Sequence, residues 1–542
     1  MGWPNKGVIH RPVVMGTRGL VTSASALASL AGLRILLAGG NAVDAAVATA
    51  AALNVCEPYM SGLGGDGYML VYTARDRRLR VLDYNGPCPR AATPAAFAAP
   101  EEKDRGPKAS IVPGAIGGWL TALDDAGTLD RAAVFAPAIE YAERGVPVTL
   151  KAAAFIAAAA RRLTLEAAAV FCPDGHAPAP GAILRQPQLA ETYRQLVAGG
   201  ADGFYRGPLG ERVVAALQAR GGLLAKRDLA EWRPEWQEPV AVTYRGYRVA
   251  SVPPPGQGFQ CLQTLNILEG FDLAASGQNS AETLHLLAEA MKLAVADRIA
   301  YAGRPDVPVA GLLAKEYAAH RRGLIDAGRA HPSEGERFGG LAGPDVIAAG
   351  TPGDFSRECT THFDVVDGVG NAVSVTQSLG AFFGSGVMAG DTGIVLNNFL
   401  SWADLDPASP LVVAPNKRLG TRMAPVAVFR GDRPFVMLGT PGSFGIPQTT
   451  TQMLSNVLDH GYSIQAAIEA PRIRTYAGTT IDIEARVPAD VRAGLARRGH
   501  ELRVIDDWSP AVGGGQGFMI DPESGALLGG ADPRRDGYAL AF

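Results

Sequence analysis

Cysteine is scarce in this chain, and none of it is paired by spacing. Cys56, Cys88, Cys172, Cys261 and Cys359 stand far apart and are odd in number. Without a CxxC pair, a zinc ribbon or a thioredoxin motif has little support, and a reduced, intracellular protein is the simpler inference. Excess charge is also missing. A net charge of −3 provides no field that would gather nucleic acid or an anionic membrane surface. There is no Gly/Ser linker, no charge block and no short period of the kind that marks a solenoid. Residues 1–14 lack the apolar centre of a signal peptide, so a cytoplasmic location is expected. The Ala-rich run 41–55 is apolar, yet it carries Asp44 and is too short to cross a bilayer.

What is present is a long chain with a large apolar share. At 542 residues and 47% hydrophobic, it must bury more core than one simple domain holds. Its 66 glycines and 38 prolines are spread out and punctuate turns. Periodicity predicts helices over 23–38 and 41–54 with a Gly39-Gly40 break, and over 132–144, 188–197, 209–219 and 281–301. Strands are predicted over 68–72 and 79–84, and as a pair over 240–252 around Arg245-Gly246. The later part changes character. Residues 362–367 and 372–378 flank the turn Gly368-Val369-Gly370-Asn371 as a hairpin, and 426–430 with 435–439 make another. Helices over 449–459 and 464–470 follow. Strands grouped with helices outside them point to stacked layers rather than alternating βαβ units.

One glycine pattern misleads. Gly62, Gly64 and Gly67 spell GxGxxG, but Pro58-Tyr59-Met60 precedes them and a strand follows. Dinucleotide binding needs a strand before and a helix after, so these glycines read as turns and close packing. Gly114, Gly117 and Gly118 receive the same reading. No Walker motif and no HExxH occurs; the eight histidines are scattered, and His362 reads as structural.

The most informative stretch is Glu358-Cys359-Thr360-Thr361-His362-Phe363-Asp364-Val365-Val366-Asp367. A Thr-Thr pair stands abruptly at the head of a strand pattern, well inside the chain. Alone, it would be no more than β-branched residues starting a strand. An N-terminal Thr, however, carries a hydroxyl and a free α-amine on one residue. That amine, with a reference pKa of about 7.7–8.0, accepts the hydroxyl proton near neutral pH without a His or Asp partner. An internal Thr lacks the amine, so cleavage before Thr360 would create the nucleophile. In the uncut chain the same hydroxyl would attack the carbonyl of Cys359 and give an ester, which water opens.

The context continues past this pair. Asp367, then Gly370-Asn371-Ala372-Val373-Ser374-Val375-Thr376-Gln377-Ser378, are followed by Phe383-Gly384-Ser385-Gly386, Asn397-Asn398, Asn416-Lys417-Arg418, Gly439-Thr440-Pro441-Gly442-Ser443 and Asp532-Pro533-Arg534. Upstream stand Gly39-Gly40-Asn41-Ala42-Val43-Asp44 and Gly62-Leu63-Gly64-Gly65-Asp66-Gly67. In these motifs, from about Gly19 onward, the chain resembles the γ-glutamyltranspeptidase family of N-terminal-nucleophile hydrolases. The resemblance implies an α+β fold, a four-layer αββα sandwich formed jointly by two autoprocessed chains. These would be 1–359, the large subunit, and 360–542, the small subunit beginning with Thr360, interleaved in one globule. It implies Thr360 as processing residue and nucleophile, with Cys359 on the other side of the cut. Ser378 stands where many relatives have a Thr that holds the nucleophile, with Thr376 as its neighbour on the same strand face. Backbone N–H groups of Gly442 and Ser443 would face the oxyanion. No metal or organic cofactor is implied. The implied partners are a small-molecule amide or peptide substrate and the second fragment, with no nucleic acid and no membrane. Many relatives are exported, so the missing signal is a departure.

The acyl-recognition set departs further. Where the family uses an Arg after an Asp-aromatic pair, this chain has Asn85; where it has Ser-Ser, this chain has Thr421 and Arg422. The Asp that grips the substrate ammonium falls at Trp402, with Phe399 before it, and the small-chain Asn falls at Gly380. Arg422 is a candidate carboxylate clamp from the opposite wall, and equally a structural ion-pair residue. Asp404 or Asp406 is a candidate for the lost acid. Three functions follow. The leading one is hydrolysis or transfer of the γ-glutamyl group of amides such as glutathione. The second keeps the chemistry with another acyl group (glutaryl, a cephalosporin side chain, oxamate-like). The third is an unprocessed, non-catalytic binding homologue.

Overall fold

A computed structural model describes residues 7–304, 306–333 and 359–542. Residues 1–6, on which part of the leader expectation rests, and Glu358 lie outside the described residues.

Alternation in the strands builds two packed sheets. The front sheet runs, edge to edge, Tyr538–Ala541, Gly19–Ser23, Cys359–Asp367, Ala372–Gly380, Asp66–Thr73, Arg78–Asp83 and Glu235–Gln237, all antiparallel. The back sheet runs Val14–Gly16, Leu527–Ala531, Gln516–Ile520, Arg433–Gly439, Val426–Arg430, Tyr247–Ser251 and Val240–Tyr244, again antiparallel. Both sheets mix strands from before and after residue 359. In the front sheet Tyr68, Leu70, Val366 and Ala372 point inward and meet Ala427, Met437 and Phe518 of the back sheet. Their strand neighbours Met69, Val71, Val365 and Val373 point outward into a helical layer. Period-two alternation therefore feeds two different cores from one strand.

The outer layers are helical. Ala26–Leu37, Ala42–Cys56, Ala115–Ala126 and Arg131–Arg144 cover the front sheet. Gly258–Leu268, Ala281–Tyr301, Ile446–Leu458 and Ile464–Glu469 cover the back sheet. The result is the four-layer αββα sandwich. Helix Ala42–Cys56 is apolar all round because it is enclosed on every side, as such helices are. No described helix is long and apolar enough to cross a membrane. Asn41 caps that helix, accepting from Val43 N at 2.9 Å and Asp44 N at 3.1 Å, while Asp44 returns a bond to Asn41 N at 2.9 Å. The Ala42 N–H then donates to Asp367 Oδ2 at 3.0 Å, tying the helix to the end of the strand that Thr360 begins.

The predicted hairpins and the helices over 23–38, 41–54 and 281–301 are present with small boundary shifts. Gly114, Gly117 and Gly118 mark a helix start rather than turns alone. Packing explains their size: a Cβ on Gly118 would come within 2.4 Å of the Tyr84 ring.

Candidate active site

Thr360 is buried at the start of the central front-sheet strand. Its register is irregular. Cys359 pairs with Gly380 and Thr361 with Gln377, so Thr360 faces two residues, Ser378 and Leu379. Such a bulge re-aims a side chain, and here it turns the Ser378 hydroxyl onto the 359–360 peptide. Ser378 Oγ donates to the Cys359 carbonyl and accepts from Gly380 N at 2.8 Å. Thr360 Oγ1 lies 2.6 Å from the Cys359 oxygen and 3.4 Å from Ser378 Oγ. The one carbonyl that the Thr360 hydroxyl would have to attack is thus held by two hydroxyls.

Thr376 is placed elsewhere. Its Oγ1 meets His362 Nδ1 at 2.8 Å, and His362 Nε2 meets Asp364 Oδ2 at 3.0 Å, all fully buried between the sheets. The structure therefore brings Ser378, not Thr376, to Thr360. His362 packs so closely on Gly439 of the back sheet that a Cβ there would come within 2.4 Å of the ring. Three residues beyond that contact come Gly442 and Ser443, at φ 131° and 47°. Ser443 opens a short 3₁₀ turn that runs directly into helix Ile446–Leu458. Gly442 and Ser443, the candidate oxyanion donors, thus lead directly into the N-terminus of that helix. Glycine adopts this backbone freely; Ser443 holds it under strain.

The acyl-recognition candidates divide into two groups. Arg422, Trp402 and Phe399 come together. The Arg422 guanidinium lies 4.7 Å from the Trp402 ring centre and 3.6 Å from that of Phe444, and Trp402 meets Phe399 edge-on at 4.6 Å. Phe444, which sequence reasoning missed, links this stack to the turn bearing Gly442 and Ser443. Its signal was its place directly after that motif. Asn85 and Thr421 form the second group, both buried. Both hydrogens of Asn85 Nδ2 are engaged, by Gly67 O at 3.0 Å and Asp83 Oδ1 at 2.7 Å. Its Oδ1 is buried without a partner among the described residues. Asn85 therefore presents an acceptor and has nothing to give a carboxylate. Thr421 is buried, with its carbonyl on Gln257 N at 3.0 Å.

Each candidate replacement acid makes a local hydrogen bond. Asp404 is bonded to Ser409 Oγ, and Asp406 is exposed and caps Ala408 N at 2.9 Å. Gly380 has a steric reason. At φ 100°, a Cβ there would come within 2.3 Å of Asn398 Oδ1, which accepts from Ala381 N at 2.8 Å. On the helix side, Thr361 Oγ1 donates to Glu57 Oε2 at 3.2 Å. Burial pushes the Glu57 carboxyl up to about 8, with Arg535 pulling the other way. Nothing in the sequence pattern had singled Glu57 out.

Comparison with known proteins adds a lineage to this geometry. The family model for Gamma-glutamyltranspeptidase matches residues 28–542. The chain is 39% identical to the acylase ACY 1 proenzyme of Pseudomonas sp. (strain SE83), over 97% of this chain and 94% of that protein. It is 36% identical to the glutathione hydrolase proenzyme of Bacillus subtilis (strain 168), over 98% of this chain and 93% of that protein. The crystal structure of cephalosporin acylase from Bacillus halodurans superposes with a TM-score of 0.89 at 38% identity, covering 100% of this chain and 98% of that one.

Proposed function

This chain belongs to the γ-glutamyltranspeptidase family, and from that membership we propose an autoprocessed threonine amidohydrolase whose acyl group carries a carboxylate but no ammonium. Thr360 Oγ1 adds to the Cys359 carbonyl carbon, the 359–360 C–N bond breaks, and water hydrolyses the resulting ester. The products are a Cys359 carboxylate and a Thr360 with a free amine. In turnover that amine takes the hydroxyl proton as Oγ1 adds to the substrate amide. The oxyanion faces the Gly442 and Ser443 N–H groups, and the leaving amine departs with the proton. Water or an acceptor amine then releases the acyl group. The two fragments stay together as a heterodimer.

The observation that carries the acyl-group assignment is the Trp402–Arg422–Phe444 stack. It sets a cation against the ring of Phe444 and the ring of Trp402, the position at which counting along the sequence puts the family's ammonium-binding acid. Arg422 offers a planar fork to a carboxylate, while Trp402 and Phe399 make the wall apolar. Trp402 and Phe399 offer no anion to a free α-ammonium, which would lose water against them without compensation. The γ-glutamyl reading remains the second one, supported by the match to a glutathione hydrolase over nearly the full chain.

Turnover of glutaryl-anilide against γ-glutamyl-anilide on cleaved protein, with Thr360→Ala as blank, separates the two. Glutaryl turnover equal or better is the expected result. A strong γ-glutamyl preference overturns the acyl assignment and leaves the threonine chemistry standing. Arg422→Met is expected to raise KM for the glutaryl substrate about tenfold or more, the scale of a lost charge-assisted pair.

A further inference from the structure

The N–H groups of Gly442 and Ser443, which the proposed mechanism aims at the oxyanion, belong to two successive peptide units. A peptide unit is planar and trans, so its C=O and N–H point in opposite directions. Holding the carbonyl oxygen therefore aims the N–H. The Ser443 N–H shares its unit with the Gly442 carbonyl, and that oxygen accepts from Gly445 N at 2.8 Å. The short 3₁₀ turn thus fixes the second donor by itself. The Gly442 N–H shares its unit with the Pro441 carbonyl, which lies outside that turn. Neither N–H meets an acceptor among the described residues.

The Pro441–Gly442 unit is the one most able to turn over. Pro-Gly segments occur in two turn forms that differ by a flip of the peptide between the two residues, with the glycine φ negative in one and positive in the other. Glycine adopts either sign at little cost. Gly442 has φ 131°, and one neighbouring side chain holds its peptide. Thr440 is fully buried; its Oγ1 accepts from Gly514 N at 2.9 Å and donates to the Pro441 carbonyl at 2.8 Å. A hydroxyl has a single hydrogen. Because Gly514 supplies a donor to this oxygen, that hydrogen is left for Pro441. The loop that carries Gly514 is itself pinned. Val512 O accepts from Thr449 Oγ1 at 2.9 Å and from Arg472 Nη1 at 3.1 Å, and Asp532 Oδ2 accepts from Gly515 N at 2.9 Å. Glycine at 513 permits the close approach, since a Cβ there would come within 2.5 Å of Thr440 Oγ1.

We infer that Thr440 is a positioning residue for amide turnover: its hydroxyl, set by the 512–515 loop, holds the Pro441–Gly442 peptide in the orientation that aims the Gly442 N–H at the oxyanion. The inference rests on the reading of Thr360 as nucleophile and of Gly442 as oxyanion donor, and it is independent of which acyl group the pocket takes. Thr440 needs no contact with substrate. Removing its hydroxyl frees the Pro441 carbonyl to flip and leaves the Gly514 N–H without its acceptor. A donor is then lost at the moment the oxyanion forms, while ground-state binding is kept. This separates positioning from packing: kcat falls and KM does not.

Wild type, Thr440→Val and Thr440→Ser are compared on whichever of glutaryl-anilide and γ-glutamyl-anilide wild type turns over faster, with rates taken per cleaved chain and Thr360→Ala as blank. Val keeps the shape of Thr without the hydroxyl, and Ser keeps the hydroxyl without the methyl. Thr440→Val is expected to lower kcat by about tenfold to 10²-fold, below the loss of a whole donor, with KM within about threefold of wild type. Thr440→Ser is expected to restore kcat to within about threefold. With an active wild type, an unchanged kcat in Thr440→Val, a change confined to KM, or an equally deep loss in Thr440→Ser overturns the inference and leaves the threonine chemistry standing. A wild type that turns over neither anilide above the blank overturns the threonine reading, and this inference falls with it. Should Thr440→Val fail to fold or to cleave, Thr440→Ala is set against Thr440→Ser, a pair that differs only in the hydroxyl; equal kcat in the two overturns the inference.

Discussion

Ser378 shows how little separates a structural hydroxyl from a chemical one. It reaches the Cys359 carbonyl only because a bulge leaves it opposite Thr360. Thr376, one step along the same face, is engaged by His362. Ser378→Ala removes a donor to the carbonyl that becomes the first oxyanion. Self-cleavage, followed as fragment appearance on denaturing gels, should slow by about 10²-fold, whereas Ser378→Thr should retain it. Thr376→Ala should lower stability with much less effect on cleavage. Glu57 behaves differently, because burial raises its carboxyl to about 8. Between roughly 4.5 and 8 the folded chain keeps a proton that the unfolded chain has released. Stability therefore falls as pH rises through that window, with a limiting slope of about 1.4 kcal/mol per unit, and is flat above it. Thermal melts from pH 5 to 8 should show this decline, and Glu57→Gln should flatten it.

At the scale of elements, the site is built where strand ends meet turns. The candidate residues Thr360, Ser378 and Gly442-Ser443 lie on the strand Cys359–Asp367, on its bulged partner and in the turn before helix Ile446–Leu458. Gly380 ends the bulged strand at φ 100° with Asn398 filling the space beside it. Gly380→Ala should cost about 1–3 kcal/mol in chemical denaturation, from the left-handed backbone and the displaced Asn398 together. Installing Asn there, as relatives have, should be worse still rather than restore ammonium binding. Close contacts fix these candidate positions: Asn398 crowds Gly380, and the rings of Trp402 and Phe444 lie against Arg422.

In the whole molecule, two adjacent front-sheet strands from residue 359 onward are flanked on both sides by strands that precede it. The strand Cys359–Asp367 lies between Gly19–Ser23 and Ala372–Gly380, which in turn pairs with Asp66–Thr73. The main hydrophobic clusters each draw side chains from both sides of residue 359. The two products should therefore elute as one species in gel filtration without denaturant and melt in a single transition; separation under native conditions would contradict the interleaving.

The sequence by itself determined the lineage and the layer type, and it nominated Thr360 as the reacting residue. These rest on local patterns: alternation in 362–367 and 372–378, a capped Ala-rich helix, and a Thr-Thr pair in an ordered run of motifs. It also marked Asn85, Trp402, Gly380 and Arg422 as departures at positions that the family resemblance assigns to acyl binding. It could not show what those changes do, because each depends on contacts between distant segments. That Asn85 gives both hydrogens to Gly67 and Asp83, that Arg422 is stacked between residues 402 and 444, and that Asn398 occupies the space beside Gly380 were decided by packing. The same is true of Glu57 beneath Thr361 and of the Thr440 hydroxyl, which meets Gly514, 74 residues away. Periodicity reports which face a residue occupies; only the closed fold sets which atoms meet, and the chemistry of this protein depends on those meetings.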